Sequence, residues 1–208
     1  ELPWSSAHFQ RSRVPERLPV VLSATEVAQF FQAVGILKHR AALMTCYGAG
    51  LRISEAVSLK IADIDSQRMV LRVEQGKSAK DRYVGLSPRL LIVLRQYWRQ
   101  QRSPGPWLFP AIKPHKHISP ATLQQVCREA AHLAGLDKCI TAHTLRHSFA
   151  TQLLENGEDI RVIQVLLGHR RIDTTARYTS VTMGKIAATT SPLDQLPEPP
   201  KRKRGRPR

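Results

Sequence analysis

Two histidines and an arginine fall within five residues of one another in AHTLRHSFA (142–150), with apolar residues between them. At about 100° per residue, Leu145, Phe149 and Leu153 form a core-facing stripe on a helix over 144–155. Ser148, Thr151 and Glu155 form a polar outward side. Arg146, His147, Ala150 and Leu154 form a second, apolar-flanked wedge, and His143 sits at or just before the helix start, near that wedge. A guanidinium placed there looks into a protein-lined recess, where an unpaired charge is costly. It calls for an anion. That anion is either a carboxylate of the protein, in a structural ion pair beside a core histidine, or a ligand phosphate drawn to the positive helix N-terminus.

Other stretches carry groups of the same kind. GAGLRISEA (48–56) places Arg52 at a helix start, after glycines that permit close backbone approach. Glu55, three residues on, is placed to pair with Arg52 or to cap the helix. LLGHRRIDTTARYTS (166–180) places His169 after a glycine helix stop and Tyr178 nine residues later. Two arginines, up to three histidines and one tyrosine are the parts needed for phosphoryl transfer to a protein hydroxyl. Forming phenolate from a free tyrosine of pKa about 10 costs about 4 kcal/mol at pH 7. A neighbouring base and two arginine charges offset that cost. The same histidines allow a second arrangement, His143, His147 and His169 around zinc. The HxxxH spacing suits one helix face, but Thr144 stands where a metalloprotease HExxH needs glutamate.

Composition points to the partner. Thirty-two Lys and Arg oppose sixteen Asp and Glu, a net charge of +16, and only six of the basic residues lie in the tail KRKRGRPR (201–208). A basic body favours a polyanion, nucleic acid before membrane, over a merely solubilising surface. The longest apolar runs, such as Leu90–Leu94, are far too short to span a bilayer, and residues 1–20 do not form a secretory signal. Cys46, Cys127 and Cys139, unevenly spaced and without a CxxC, read as reduced core thiols of a cytoplasmic protein.

The elements that must position these groups are mainly helical. Residues 1–20 read as an extended arm or linker. SATE (23–26) has the form of a capping box that starts a helix through about Val34. Helices follow at about His39–Tyr47 and 52–59, then two strands, MVLRV (69–73) and RYVGL (82–86), joined by EQGKSAKD as a hairpin. Further helices are expected at about 88–100, 120–134 (capped by Ser119), 144–155, 159–167 (capped by Asp159), 173–178 and 181–189. From Ser191 the chain turns proline-rich and then basic, the composition of a disordered tail. The fold class expected is mainly α with a small antiparallel β-sheet (α+β).

GLRISE (50–55), the hairpin QGKSAKDRYVGLS (75–87), HTLRHSFAT (143–151), LLGH (166–169) and TTARYT (174–179), in this order and spacing, resemble the catalytic domain of the tyrosine recombinases. These are the phage integrase family, and the likeness is nearest to its Xer-type and integron- or transposon-associated members. It spans about 21–190. It implies site-specific cutting and rejoining of double-stranded DNA, as in integration or transposition, through a 3′-phosphotyrosyl intermediate, with no metal or other cofactor. By the same resemblance, Arg52 and Arg146 would bind the non-bridging oxygens of the scissile phosphate, for which guanidinium forks are suited. His143 would orient or deprotonate the nucleophile, and His169 would hydrogen-bond the phosphate. Lys77 would protonate the leaving 5′ oxygen, with Lys80 its competitor in the hairpin, and Tyr178 would attack. Lys80 and Arg82 are candidate DNA contacts. Ser180 stands where many relatives carry histidine.

The resemblance also implies a homotetramer on paired DNA sites, with 181–190 docking on a neighbour. Family members carry an N-terminal helical domain that clamps the far side of the DNA. Only some 20 residues precede the catalytic domain here, so the chain reads as a fragment or a reduced member. The tail KRGRPR (203–208) resembles an AT-hook, in which Arg204 and Arg206 would lie in the narrow minor groove of A·T-rich DNA. Two other functions fit the same motifs: a DNA-binding accessory protein that has lost the activity, and a type IB topoisomerase-like nicking enzyme.

Overall fold

The computed structural model describes residues 20–74, 81–102, 105–113, 115–168 and 189–197. Seven α-helices are present among them: α1 (Ala24–Ala33), α2 (Leu37–Gly48), α3 (Ile53–Val57), α4 (Pro88–Gln100), α5 (Pro120–Leu133), α6 (Ala142–Glu155) and α7 (Ile160–Leu167). Three strands, β1 (Ile64–Asp65), β2 (Val70–Val73) and β3 (Arg82–Gly85), form an antiparallel sheet in the order β1-β2-β3. Short 3-10 turns lie at Ile61–Asp63 and Pro192–Gln195. The expected class, mainly helical with a small antiparallel sheet, is the one observed. The helix expected near 173–178, all but the last residue of the one expected at 181–189, the arm before residue 20 and the hairpin tip 75–80 lie outside the described residues.

Local signals set most helix starts. Ser23 accepts from Glu26 N while the Glu26 carboxylate accepts from Ser23 N, a complete capping box. Ser87 and Ser119 cap α4 and α5 with proline at the first turn, and Asp159 caps α7. Helix α6 begins at Ala142, two residues earlier than the pattern indicates, because Thr141 accepts from Thr144 N as its cap.

Helix α2 is the centre of the domain. Every residue from Ala41 to Gly48 is buried, since α3, α4, α5, α6 and the 192–195 turn all pack on it. Helix α6 packs against α2, α5, α7 and the 192–195 turn, and this corrects the expected polar face at Ser148, while Glu155 is exposed as expected. Ser148 is fully buried. Its hydroxyl donates to Thr144 O and accepts from Leu22 N, while Gln152 Nε2 donates to Leu22 O, so this face ties down the segment at residues 20–22 that leads into α1. Conversely, Leu154 of the expected wedge is half exposed.

Strand β1 has no counterpart in the sequence reading. It is only two residues long, too short for an alternation to register, and it is turned back by Asp65, whose carboxylate accepts from Gln67 N and Arg68 N. Of the three cysteines, Cys46 and Cys127 are buried thiols as expected, but Cys139 is exposed. The segment from Ser191 to Pro197 is not the start of a disordered tail. Leu193 is fully buried, against Gly48 where a Cβ would lie 2.7 Å from its Cδ2. The Asp194 carboxylate accepts from Ser87 Oγ and Arg89 N, and Ser191 Oγ donates to Gly48 O. Proline content concealed the two leucines that anchor this strap. Among the described residues no helix is long and apolar enough to cross a membrane.

Candidate active site

The site forms where three chain segments meet. After α2 the chain turns through Gly50 in the left-handed region (φ +63°). A Cβ there would lie 2.6 Å from the Phe149 ring of α6, so only glycine permits this approach. Arg52 follows as the N-cap of α3. Arginine has no acceptor, so half of a capping box forms: the Glu55 carboxylate reaches back to accept from Arg52 N at 2.8 Å. The same carboxylate accepts from Arg52 Nη1 at 2.9 Å. Both arrangements open to Glu55, pairing and capping, are therefore realised together.

Glu55 does more than this. Arg82 of β3 donates to both of its oxygens, Nη1 to Oε1 and Nη2 to Oε2, each at 2.9 Å. Arg146 Nη1 of α6 approaches Oε2 at 3.7 Å. One partly buried carboxylate thus faces three guanidiniums, a local excess of two positive charges. Burial pushes the Glu55 carboxyl up, but the hydrogen bonds from Arg82 and Arg52 outweigh it and hold the group at about 2. The guanidinium of Arg146 is pulled down to about 10, first by burial, then by the charge of Arg52, with Glu55 opposing both. The cluster is short of negative charge.

Arg146 is 5% exposed. Besides Glu55 it faces two backbone carbonyls: Nη1 donates to Gly50 O at 2.7 Å and Nη2 to Leu167 O at 2.6 Å. It clamps the turn before Arg52 to the C-terminal end of α7. Helix α7 stops at Gly168, which is left-handed (φ +61°). Arg52, by contrast, has a side chain 45% exposed. The recess inferred for Arg146 is real, its protein carboxylate is Glu55, and Arg52 opens it to solvent.

His143 is exposed in the first turn of α6, one turn before Arg146 on the same face, and His147 is partly buried one residue after it. The structure therefore gathers Arg52 and Arg146 around Glu55, with His143 one helical turn before Arg146. Lys77, Lys80, His169, Tyr178, Arg204 and Arg206 lie outside the described residues. The zinc alternative requires His169 and so lies partly outside them; among the described residues no group of His, Cys, Asp or Glu forms a metal-ligand cluster. Arg82 is the clear departure. Its side chain is 9% exposed and its donors are taken up by Glu55 and by Leu166 O, the latter at 3.2 Å from Nε. It faces inward because it shares a sheet face with Val84 and pairs across from Val73, both buried. The period-two alternation of RYVGL carried this signal.

The chain has relatives in both sequence and fold. Residues 20–185 match the phage integrase family, and the chain belongs to that family. It is 55% identical over 185 residues to the putative integrase/recombinase y4qK of Sinorhizobium fredii, a match covering 89% of this chain and 60% of that protein. It is 38% identical over 176 residues to the tyrosine recombinase XerA of Pyrococcus horikoshii, covering 84% of this chain and 61% of that protein. Its fold matches the crystal structure of XerA recombinase at a TM-score of 0.70 and 32% identity, over 83% of this chain and 62% of that one. It also matches XerH site-specific recombinase bound to difH substrate at 0.65 and 25% identity, over 78% and 50% of the two chains. The chain thus spans about three fifths of the length of these curated relatives.

Proposed function

We propose that the chain is the catalytic part of a site-specific DNA recombinase that breaks and rejoins strands through Tyr178. The observation that carries this is the cluster of Arg52, Arg82 and Arg146 on the single carboxylate of Glu55, short of negative charge and open to solvent at Arg52. A phosphodiester supplies the missing charge. Arg52 and Arg146 take its non-bridging oxygens, where preorganised cations stabilise the pentacoordinate transition state. The Tyr178 oxygen attacks phosphorus with His143 accepting or orienting its proton and His169 hydrogen-bonding the phosphate. The bond from phosphorus to the 5′ oxygen breaks, and Lys77 supplies the proton that makes a 5′ hydroxyl. The phosphodiester energy is kept in the 3′-phosphotyrosyl bond, so rejoining needs no further energy source.

The net charge of +16 supports a duplex DNA partner, as do relatives named as recombinases and a neighbour bound to its DNA substrate. The assembly proposed is a homotetramer on two paired sites, and the basic tail with Arg204 and Arg206 is proposed to add a minor-groove anchor on A·T-rich DNA. The test is a nicked duplex library of randomised sequence, in which cleavage releases a short strand and traps the protein. The wild-type chain is expected to give an adduct that survives SDS, and Tyr178→Phe none. Equal adduct from both would refute the assignment. An adduct spread evenly over all sequences would replace the recombinase with a relaxing enzyme.

A further inference from the structure

Each of the three guanidinium nitrogens of Arg82 donates to a protein acceptor. Two Nη donors grip Glu55 as a fork and Nε holds Leu166 O, the penultimate carbonyl of α7. Arg146 holds the next carbonyl, Leu167 O. The last two residues of α7 are therefore each pinned by one arginine of the cluster, immediately before Gly168 turns the chain. That turn lies against Arg82 itself: a Cβ on Gly168 would come within 3.0 Å of Arg82 Nε. Arg82 also stands at the β2-β3 pair nearest the connecting loop, opposite Val73. One side chain thus joins the loop end of the β2-β3 pair, the N-terminus of α3 through Glu55, and the exit of α7.

We infer that Arg82 is a positioning residue, holding Glu55 and the end of α7 in register so that Arg52 and Arg146 present one phosphate site, and that it does not itself contact DNA phosphate. The inference rests on the strand-breaking reading above. Lysine keeps the charge but offers one nitrogen, which cannot span both Glu55 oxygens and Leu166 O. Glutamine removes the charge as well.

The groups that face Glu55 are Arg52 at the α3 cap, Arg82 on β3, Arg146 on α6 and the buried Cys46 thiol of α2. Loss of Arg82 leaves the carboxylate with weaker partners, so its protonation moves to higher pH. The experiment compares wild type, Arg82→Lys and Arg82→Gln in three readouts: the thermal midpoint between pH 3 and 8, the salt dependence of binding to the nicked duplex library, and the rate of adduct formation against pH. Both variants are expected to lower the midpoint at pH 7 and to flatten its fall below pH 4.5, because the gap between the folded and unfolded Glu55 pKa narrows. Both are also expected to move the acid limb of the adduct rate to higher pH, glutamine more than lysine in each. At pH 7 adduct formation is expected to fall by about tenfold or more in both, with the salt slope unchanged.

A salt slope reduced by about 0.9 in Arg82→Gln, the loss of one phosphate contact, would overturn the inference. So would a midpoint that falls below pH 4.5 as in wild type, an unmoved acid limb of the adduct rate, or an adduct rate kept within twofold in Arg82→Lys. A wild-type chain that binds the library but forms no adduct would sink the strand-breaking reading instead. The staple would then stand or fall on the fall of the midpoint below pH 4.5 and on the salt slope.

Discussion

Replacing Glu55 by glutamine probes the centre of the site. Glutamine keeps the volume but removes the one negative charge that faces three guanidiniums, and its amide turns donors toward donors. The magnitude follows from the carboxyl group itself. Its pKa falls from an ordinary 4.5 to about 2 in the folded chain, and at about 1.4 kcal/mol per pKa unit the ionised form contributes about 3 kcal/mol. Breaking a buried pair by removing one partner costs about 3–5 kcal/mol, which agrees. For a domain of this size the thermal midpoint should fall by roughly 6–12 °C. The sign with pH is fixed. A carboxyl depressed by folding gives its full stabilisation above pH 4.5 and loses it as pH falls toward 2. The gap between wild type and Glu55→Gln should therefore be about 3 kcal/mol at pH 7 and close progressively below pH 4.5. Urea unfolding followed by tryptophan fluorescence at stepped pH measures it. A gap under about 1 kcal/mol at pH 7 would refute the reasoning, as would one that stays constant down to pH 2.5.

The neighbouring residues should separate stability from activity. Arg52→Ala should cost under about 1 kcal/mol, because its pair with Glu55 is half exposed, yet abolish adduct formation on the nicked library. Gly50→Ala combines a left-handed backbone with a Cβ inside the Phe149 ring contact, and should cost about 2–4 kcal/mol by chemical denaturation. Leu193→Ala empties a fully buried site on α2 and should cost about 2–5 kcal/mol, with residues 189–197 becoming accessible to proteolysis in the native state. An unchanged midpoint in that variant would show that the strap adds nothing to the domain.

The helices were legible because their starts carry capping chemistry within four residues, as Ser23 with Glu26 and Ser119 with Pro120 do. Arg146 was legible as a cation seeking an anion because apolar residues flank it on the helix wheel, and Arg52 as its counterpart because it opens a helix after two glycines. The rest depended on contacts far apart in sequence. Ser148 looked outward on a wheel, but a wheel does not show that the backbone at Leu22 comes back to meet it, 126 residues away. Arg82 looked like a basic hairpin residue until its partner Glu55, 27 residues earlier, was in place. The strap at 191–197 was hidden because a proline-rich composition says how a segment behaves alone, whereas Leu193 is held by a groove that α2, α4 and α6 build together.

The central claim is that Tyr178 forms a covalent bond to the 3′ phosphate of a DNA strand, and peptide mapping of the trapped adduct tests it most directly. Trypsin cuts after Arg177 and Lys185, so the peptide YTSVTMGK (178–185) should carry a nucleotide through its tyrosine, joined to a 3′ phosphate and accompanied by a free 5′ hydroxyl on the released strand. The nucleotide on any other peptide, a 5′ linkage, or no adduct from the wild-type chain on DNA that it binds would contradict the account.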